Sequence, residues 1–156
     1  MARGFLEDTT SISRDSPTCC KESLRLLLFI IAGKNWILQA LDIKSTFLQG
    51  KEMERLVFMK PPREANVASG TVWKLKKCVY GLVDASLKWY QRVVDCLIDL
   101  NGTKSKDPAV FYWRKDGVLA LHVDDFMYAG TEQFLQDVIC KVIFFHLSRA
   151  RNSTTG

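Results

Sequence analysis

Histidine and metal-type cysteine spacing are the first things missing from this sequence. Only His122 and His146 are present, and the five cysteines, Cys19, Cys20, Cys78, Cys96 and Cys140, are odd in number with no Cys-x-x-Cys pair. A zinc site needs several N and S ligands at close spacing, so none is expected here, and free thiols in a reducing compartment are the simplest reading. No apolar run approaches the ~20 residues of a membrane span; the longest is Leu26 to Ala32. The opening residues lack the apolar stretch of a secretory signal, so the expectation is a chain that is neither secreted nor membrane-bound. The glycosylation-type patterns Asn101-Gly102-Thr103 and Asn152-Ser153-Thr154 carry no meaning in such a compartment. Internal repeats and low-complexity linkers are absent as well.

What is there is enough for one globular core. The chain has 156 residues, 47% of them hydrophobic, with a mean hydropathy of −0.02, which argues against wholesale disorder. Net charge is +5 and the pI about 9.0. That excess is compatible with a polyanionic partner without requiring one.

Residues 1–16 are polar and predict an irregular lead-in. Ser16-Pro17 predicts a helix start, with Leu24, Leu27, Leu28 and Ile31 as its buried face and Gly33 as its stop. Residues 36–42 predict an apolar strand ending on Asp42, followed by a short helical segment from Lys44 to Gly50. Arg55 to Lys60 predicts a strand halted by Pro61-Pro62. Val72 to Lys76 alternates apolar and basic residues, as in a strand with a basic outer face. Leu82, Ala85, Trp89, Val93, Cys96, Leu97 and Leu100 fall at helical spacing, with Gly102 as the C-cap. Val110 to Arg114 and Val118 to Val123 predict strands joined by Lys115-Asp116-Gly117. Phe126 to Ala129 is the return strand, and Thr131 caps a last helix to about Phe145 before a frayed tail over 148–156. Strands and helices mixed without strict alternation predict an α+β fold, an antiparallel sheet with helices packed on one face.

Asp124-Asp125, set between Leu119–Val123 and Phe126–Tyr128, is the chemically suggestive feature. Adjacent carboxylates at a strand–turn–strand tip repel each other, and divalent cations relieve that repulsion. Asp42 closes another apolar run, so three carboxylates meet if the two runs lie side by side. Asp is equally an ordinary turn residue. With eleven Asp in the chain, roughly 0.8 such pairs arise by chance, so the dipeptide alone leaves both readings open.

Several segments together resemble one family, the copia-type retrotransposon reverse transcriptases of Gag-Pol polyproteins. Leu41-Asp42-Ile43-Lys44-Ser45-Thr46-Phe47-Leu48-Gln49-Gly50 is similar to that family's first catalytic segment. Trp73-Lys74-Leu75-Lys76-Lys77-Cys78-Val79-Tyr80-Gly81-Leu82 resembles its Lys-Leu…Tyr-Gly-Leu segment, and His122-Val123-Asp124-Asp125 its Val-Asp-Asp core. Ala2-Arg3-Gly4-Phe5 and Ser16-Pro17 fall where the family has comparable residues, so the likeness runs in order from about Ala2 to Phe145.

The resemblance implies part of a right-hand polymerase: a palm over residues 17–147 with a remnant of the fingers, including the 1–16 lead-in. It implies RNA-directed DNA synthesis by two-metal nucleotidyl transfer, using two Mg²⁺ or Mn²⁺ ions, deoxynucleoside triphosphates and an RNA or DNA template with primer. Asp42 and Asp124 would be the principal metal ligands and Asp125 the third carboxylate. Ile43, Lys44, Phe47, Gly81 and Leu82 would handle the nucleotide, Phe47 as bulk beside the sugar; a core Phe and a plain turn Gly are the structural alternatives. Lys74, Lys76 and Lys77 would contact nucleic acid, or simply form a solvated strand face. Trp89 and Tyr90 are expected to pack helix against sheet.

The chain departs from the family at His122, where Tyr is common, and at Asp84 and Leu87, where Gln and Arg are common. Asp84 would add like charge near a nucleotide site. The family's basic finger strand, primer-gripping hairpin and thumb are not in the sequence. The expectation is therefore a truncated copy with little or no activity alone, its parent acting in the cytoplasm, in a virus-like particle, or in the nucleus. The alternatives are a co-opted, non-catalytic nucleic-acid-binding fragment and a piece with no stable fold of its own.

Overall fold

The computed structural model describes residue 10 and residues 12–143. In chain order the elements are α1 (Lys21–Gly33), β1 (Gln39–Asp42), α2 (Thr46–Gln49), β2 (Glu52–Met59), β3 (Trp73–Lys77), α3 (Ala85–Asp99), β4 (Thr103–Lys104), β5 (Val110–Trp113), β6 (Gly117–His122), β7 (Asp125–Gly130) and α4 (Glu132–Phe134), which continues with π-type bonding over Leu135–Ile139. The expected Ala-Arg-Gly-Phe segment, most of the lead-in, the end of the last helix and the tail lie outside the described residues. The chain divides into two compact units. One contains Ser45–Arg92, the other Ser16–Lys44 and the chain from Val93 on.

The second unit is built on a five-stranded antiparallel sheet in the order β1-β7-β6-β5-β4. Its centre, β6, is an unbroken apolar run, and Gly117 through Leu121 are all buried. Such a run is what a strand covered on both faces requires. On one face Leu27 and Ile31 of α1 pack on Val118, Ala120 and Ala129. On the other, the Phe134 ring seats over the paired glycines Gly117 and Gly130, where a Cβ would come within 2.3–2.4 Å of it. Trp113 meets that ring at 5.0 Å and donates its indole N–H to the Leu100 carbonyl at 2.9 Å. Helices therefore flank both faces, which corrects the one-face arrangement expected from the sequence. Gly117 is also not the hairpin's turn residue: it belongs to β6, and the positive φ falls on Arg114.

Helix α1 starts at Lys21, four residues later than Ser16-Pro17 suggests. Residues 17–20 run extended, with the Cys19 N–H donating to the Leu121 carbonyl, and the Cys20 sulfur accepts from the Ser23 N–H as the cap. Asp107 ties this start down, accepting from the Cys20 N–H at 3.1 Å and from the Ala109 N–H at 3.0 Å. Leu28, expected inside, is exposed, because the buried face centres on Leu27 and Ile31. Leu26, Phe29 and Ile30 form an outward stripe, Phe29 being 77% exposed. Helices α1 and α3 end alike. Asn35 and Asn101 take the left-handed position, and the next N–H, from Trp36 or Gly102, reaches back to Ile31 or Leu97. That is a Schellman ending with Asn at C′, so Gly102 is not the left-handed residue; it matters because a Cβ there would lie 2.7 Å from the Leu97 carbonyl and the Trp113 ring.

The first unit holds the antiparallel ribbon β2–β3 and short α2. Burial alternates along β2 with period two. Its inward side, with Met53 and Val57, joins Leu75, Phe47 and Val79 around the buried trio Cys78, Leu82 and Ala85. Among the described residues, no helix is long and apolar enough to cross a membrane.

Candidate active site

Two hydrophobic registers bring the carboxylates to one end of the five-stranded sheet. Leu41 lies opposite Phe126, and Phe126 opposite Leu121; Phe126 is buried. Because side chains alternate, fixing these apolar pairs fixes their neighbours one residue on. Asp42 is then the direct partner of Asp125, and Asp125 the direct partner of His122. Cross-strand partners share a face, so His122, Asp125 and Asp42 form a row across β6, β7 and β1. All three are exposed. It is the same face that carries Val118, Ala120 and Ala129 farther along, so the sheet is apolar under α1 and ionisable at its open end.

Val123 and Asp124 make the two-residue turn between β6 and β7. Val123 has φ +58°, a conformation that β-branched residues rarely adopt and that costs about 1–3 kcal/mol. The Ile43 N–H donates to the Asp124 carbonyl at 3.3 Å, tying the exit of β1 to this turn. Strand directly opposing Asp42 and Asp125 is unfavourable by itself, since like charges at facing positions repel. Oxygen donors of this kind suit a hard dication. Among the described residues, however, no group of three or more His, Cys, Asp or Glu is arranged to hold a metal ion. The donor chemistry and the register fit a divalent cation; a closed three-carboxylate cage is not formed.

The remaining expected residues divide between the units. Ile43, which is buried, and Lys44, which is exposed, follow β1 in the second unit. Phe47, Gly81, Leu82, Lys74, Lys76 and Lys77 are in the first. There the Phe47 ring packs on Tyr80 at 4.7 Å, tilted 59°, and borders the Cys78–Leu82–Ala85 cluster. Gly81 has φ +98°, which only glycine adopts without strain. The lysines do not form one basic face. Lys74 and Lys76 are exposed, whereas Lys77 is half-buried and lies on the alternate side, opposite Glu52 in register. Thr46 of α2 is fully buried, and its hydroxyl is a buried side-chain polar atom with no hydrogen-bond partner among the described residues.

Asp84 is not the free acid the sequence suggested. It is 3% exposed and takes two bonds from the Arg55 guanidinium, Nη2 to Oδ1 at 2.6 Å and Nε to Oδ2 at 3.1 Å. Burial pushes its carboxyl upward, but the hydrogen bonds and charge of Arg55 outweigh that and hold it below the ordinary carboxylate value. The Cys78 thiol lies 3.6 Å from Oδ1. Burial first, and the Asp84 charge second, push that thiol up to about 12. Sequence reasoning missed Arg55 as a partner, because 29 residues separate it from Asp84 and nothing in a half-buried strand Arg announces its mate.

A family profile described as reverse transcriptase (RNA-dependent DNA polymerase) matches residues 2–146. The chain is 31% identical over 127 residues to the retrovirus-related Pol polyprotein from transposon TNT 1-94 of Nicotiana tabacum, covering 77% of this chain and 10% of that protein. It is 26% identical over 125 residues to the Pol polyprotein from transposon RE1 of Arabidopsis thaliana, covering 77% and 8%. Against the transposon Ty1-DR4 Gag-Pol polyprotein of Saccharomyces cerevisiae it is 27% identical over 128 residues, covering 80% and 8%. The chain thus spans about a tenth of the length of the curated relatives it matches. No solved structure matches it. With the profile running over nearly every residue, the chain belongs to the reverse transcriptase family, in the branch carried by copia-type retrotransposons.

Proposed function

We propose that this chain is the catalytic portion of an RNA-directed DNA polymerase, its second unit acting as palm and its first as part of the fingers. The observation that carries the reading is the facing pair Asp42 and Asp125, with Asp124 in the turn beside them, at one end of a sheet in a chain of this family. Asp42, Asp124 and Asp125 would hold the divalent cations. When bound, Mg²⁺ supplies charge neutralisation on a triphosphate and a more acidic primer hydroxyl.

The chain's own residues supply orientation and charge. The acid pair sits on strands whose apolar neighbours are buried, so its positions are held by packing rather than by a loop. The strained Val123 turn fixes where Asp124 leaves the strand. The family likeness supports a role for Ile43, Lys44, Gly81 and Leu82 in nucleotide handling and for Phe47 as steric bulk beside the sugar. Phe47's packing on Tyr80 fits either that role or a place in the core. The buried Arg55–Asp84 pair supports a structural part for Asp84, remote from any need to repel substrate phosphates.

The test is primer extension by a chimera in which this chain replaces the corresponding segment of an active copia-type Pol polyprotein. Extension with Mg²⁺ that Asp124→Asn or Asp42→Asn removes is the expected result. A chimera that polymerises equally well with either substitution would exclude these residues as the site.

A further inference from the structure

Helix α1 is apolar on two sides, and the sheet uses only one of them. Leu27 and Ile31 face the sheet and are buried. Phe29 falls midway between them, so at about 100° per residue it points the opposite way. Glu22, Leu26, Phe29 and Gly33 follow one another at spacings of four, three and four, which lines them up along that outer side. Leu26 is 62% exposed and Phe29 77%. Nothing stands within 4 Å of where a Cβ on Gly33 would sit, so the end of the stripe is open to close approach. Ile30, and Ile37 and Leu38 beyond the helix, add further exposed apolar surface.

The stripe is complementary to itself. A second α1 laid antiparallel, with Leu26 against the partner's Phe29, repeats that contact through a two-fold axis. Four residues toward the start of one helix then match four toward the end of the other, so Glu22 meets the partner's Gly33 and its neighbour, the partner's Lys34. Glu22 and Lys34 are both exposed, and neither makes an ion pair among the described residues. The two-fold forms this acid–base pair at both ends. Antiparallel helices also set opposite dipole ends side by side. A lipid surface has no use for an acid in line with the apolar stripe, since helices that lie on membranes flank it with basic residues. The exposed apolar side chains offer roughly 500 Å² per copy and about 1,000 Å² in the pair, the low end of specific interfaces. That area suits a dissociation constant in the micromolar range, not an obligate dimer.

We propose that the outer side of α1 is a two-fold interface between copies of this chain, with Leu26 and Phe29 interlocking at its centre and Glu22 pairing with the partner's Lys34 at either end. The inference stands on the helix alone and is independent of the polymerase reading.

The test is sedimentation equilibrium of the full 156-residue chain, thiols kept reduced, from about 1 to 200 µM. A monomer–dimer equilibrium with Kd of about 1–100 µM is expected. Phe29→Ser should raise Kd at least ~30-fold, because an aromatic anchor is lost from both copies. Phe29 is solvent-facing in the single chain, so the variant should keep the parent's thermal transition at concentrations where the parent is monomeric. Glu22→Lys and Lys34→Glu each put like charges at both ends, and each alone should dimerise about 2- to 10-fold more weakly at low salt. Mixed in equal amounts, the two restore opposite charges at both ends and should associate as tightly as the parent. A chain still monomeric at the highest concentration, assembly beyond the dimer, a Phe29→Ser variant with the parent's Kd, or a mixture no tighter than its components would overturn the proposal. So would a monomeric chain that co-sediments with phosphatidylcholine–phosphatidylserine vesicles through Phe29, because the face then belongs to a membrane. Asp124→Asn should dimerise like the parent, so failure of the polymerase reading leaves the interface standing, and failure of the interface leaves the polymerase reading.

Discussion

Replacing Arg55 by Leu should expose how much of the first unit depends on one buried ion pair. The substitution keeps bulk but leaves the Asp84 carboxylate, 3% exposed, without the two guanidinium bonds at 2.6 and 3.1 Å. Removing one partner of a buried pair costs about 3–5 kcal/mol. Arg55 keeps 27% of its side chain in contact with water, so the lower end, about 3 kcal/mol, is expected. For a chain of this size that corresponds to a fall of about 6–12 °C in Tm. Urea unfolding followed by tryptophan fluorescence, repeated from pH 3 to 7, separates this from generic damage.

The pH dependence has a definite sign. In the parent the folded Asp84 carboxyl is depressed below its ordinary 3.8, so its contribution is full above that value and disappears as pH falls through the folded value. In Arg55→Leu, burial remains the largest influence on the same carboxyl, opposed only by a backbone hydrogen bond and the Cys78 thiol, and the carboxyl is expected above its ordinary value. The variant's Asp84 then favours folding below about pH 4, and stability is lost as pH rises toward neutrality. The other carboxylates cancel in the difference between the two proteins. The gap should therefore be small near pH 3 and widen toward pH 6. A second substitution, Asp84→Leu on top of Arg55→Leu, removes the stranded charge and should recover most of the loss. A gap that is independent of pH, or a double variant as unstable as the single one, would refute the pairing argument.

Neutralising one member of the facing acids by Asp125→Asn should stabilise the metal-free chain by about 0.2–1 kcal/mol, since it removes like charges at opposed positions; a urea midpoint shifted downward would contradict this. Gly117→Ala should cost about 1–3 kcal/mol, because its Cβ would enter the Phe134 ring, and differential scanning calorimetry would register the lowered Tm. At pH 8 the Cys78 thiol, fully buried and pushed up to about 12, should resist iodoacetamide in the folded chain while exposed Cys20 reacts; mass spectrometry of labelled peptides reads both.

Periodicity alone marked most of the elements, since an amphipathic pattern is a local property of the chain. Alternation announced β3, the spacing from Ala85 to Leu97 announced α3, and Thr131 does cap the last helix, while β2 begins at Glu52, earlier than the expected Arg55. The likeness around Asp42, Tyr80-Gly81-Leu82 and Asp124-Asp125 identified the family for the same reason: short ordered motifs survive when the rest of the sequence drifts. Other features depended on partners distant along the chain. Nothing in Leu24 to Ile31 says which apolar stripe faces the sheet, because both stripes are hydrophobic; packing on Val118, Ala120 and Ala129 chose Leu27 and Ile31. The glycines at 117 and 130 look like turn residues until a ring from Phe134 fills the space above them. Asp84 reads as a liability until Arg55, from β2, reaches the turn before α3 that holds it. The acid row shows the division most directly. Its residue types were written in the chain, but their alignment as His122, Asp125 and Asp42 follows from the register of three strands, and register is set by which apolar side chains across the sheet bury one another.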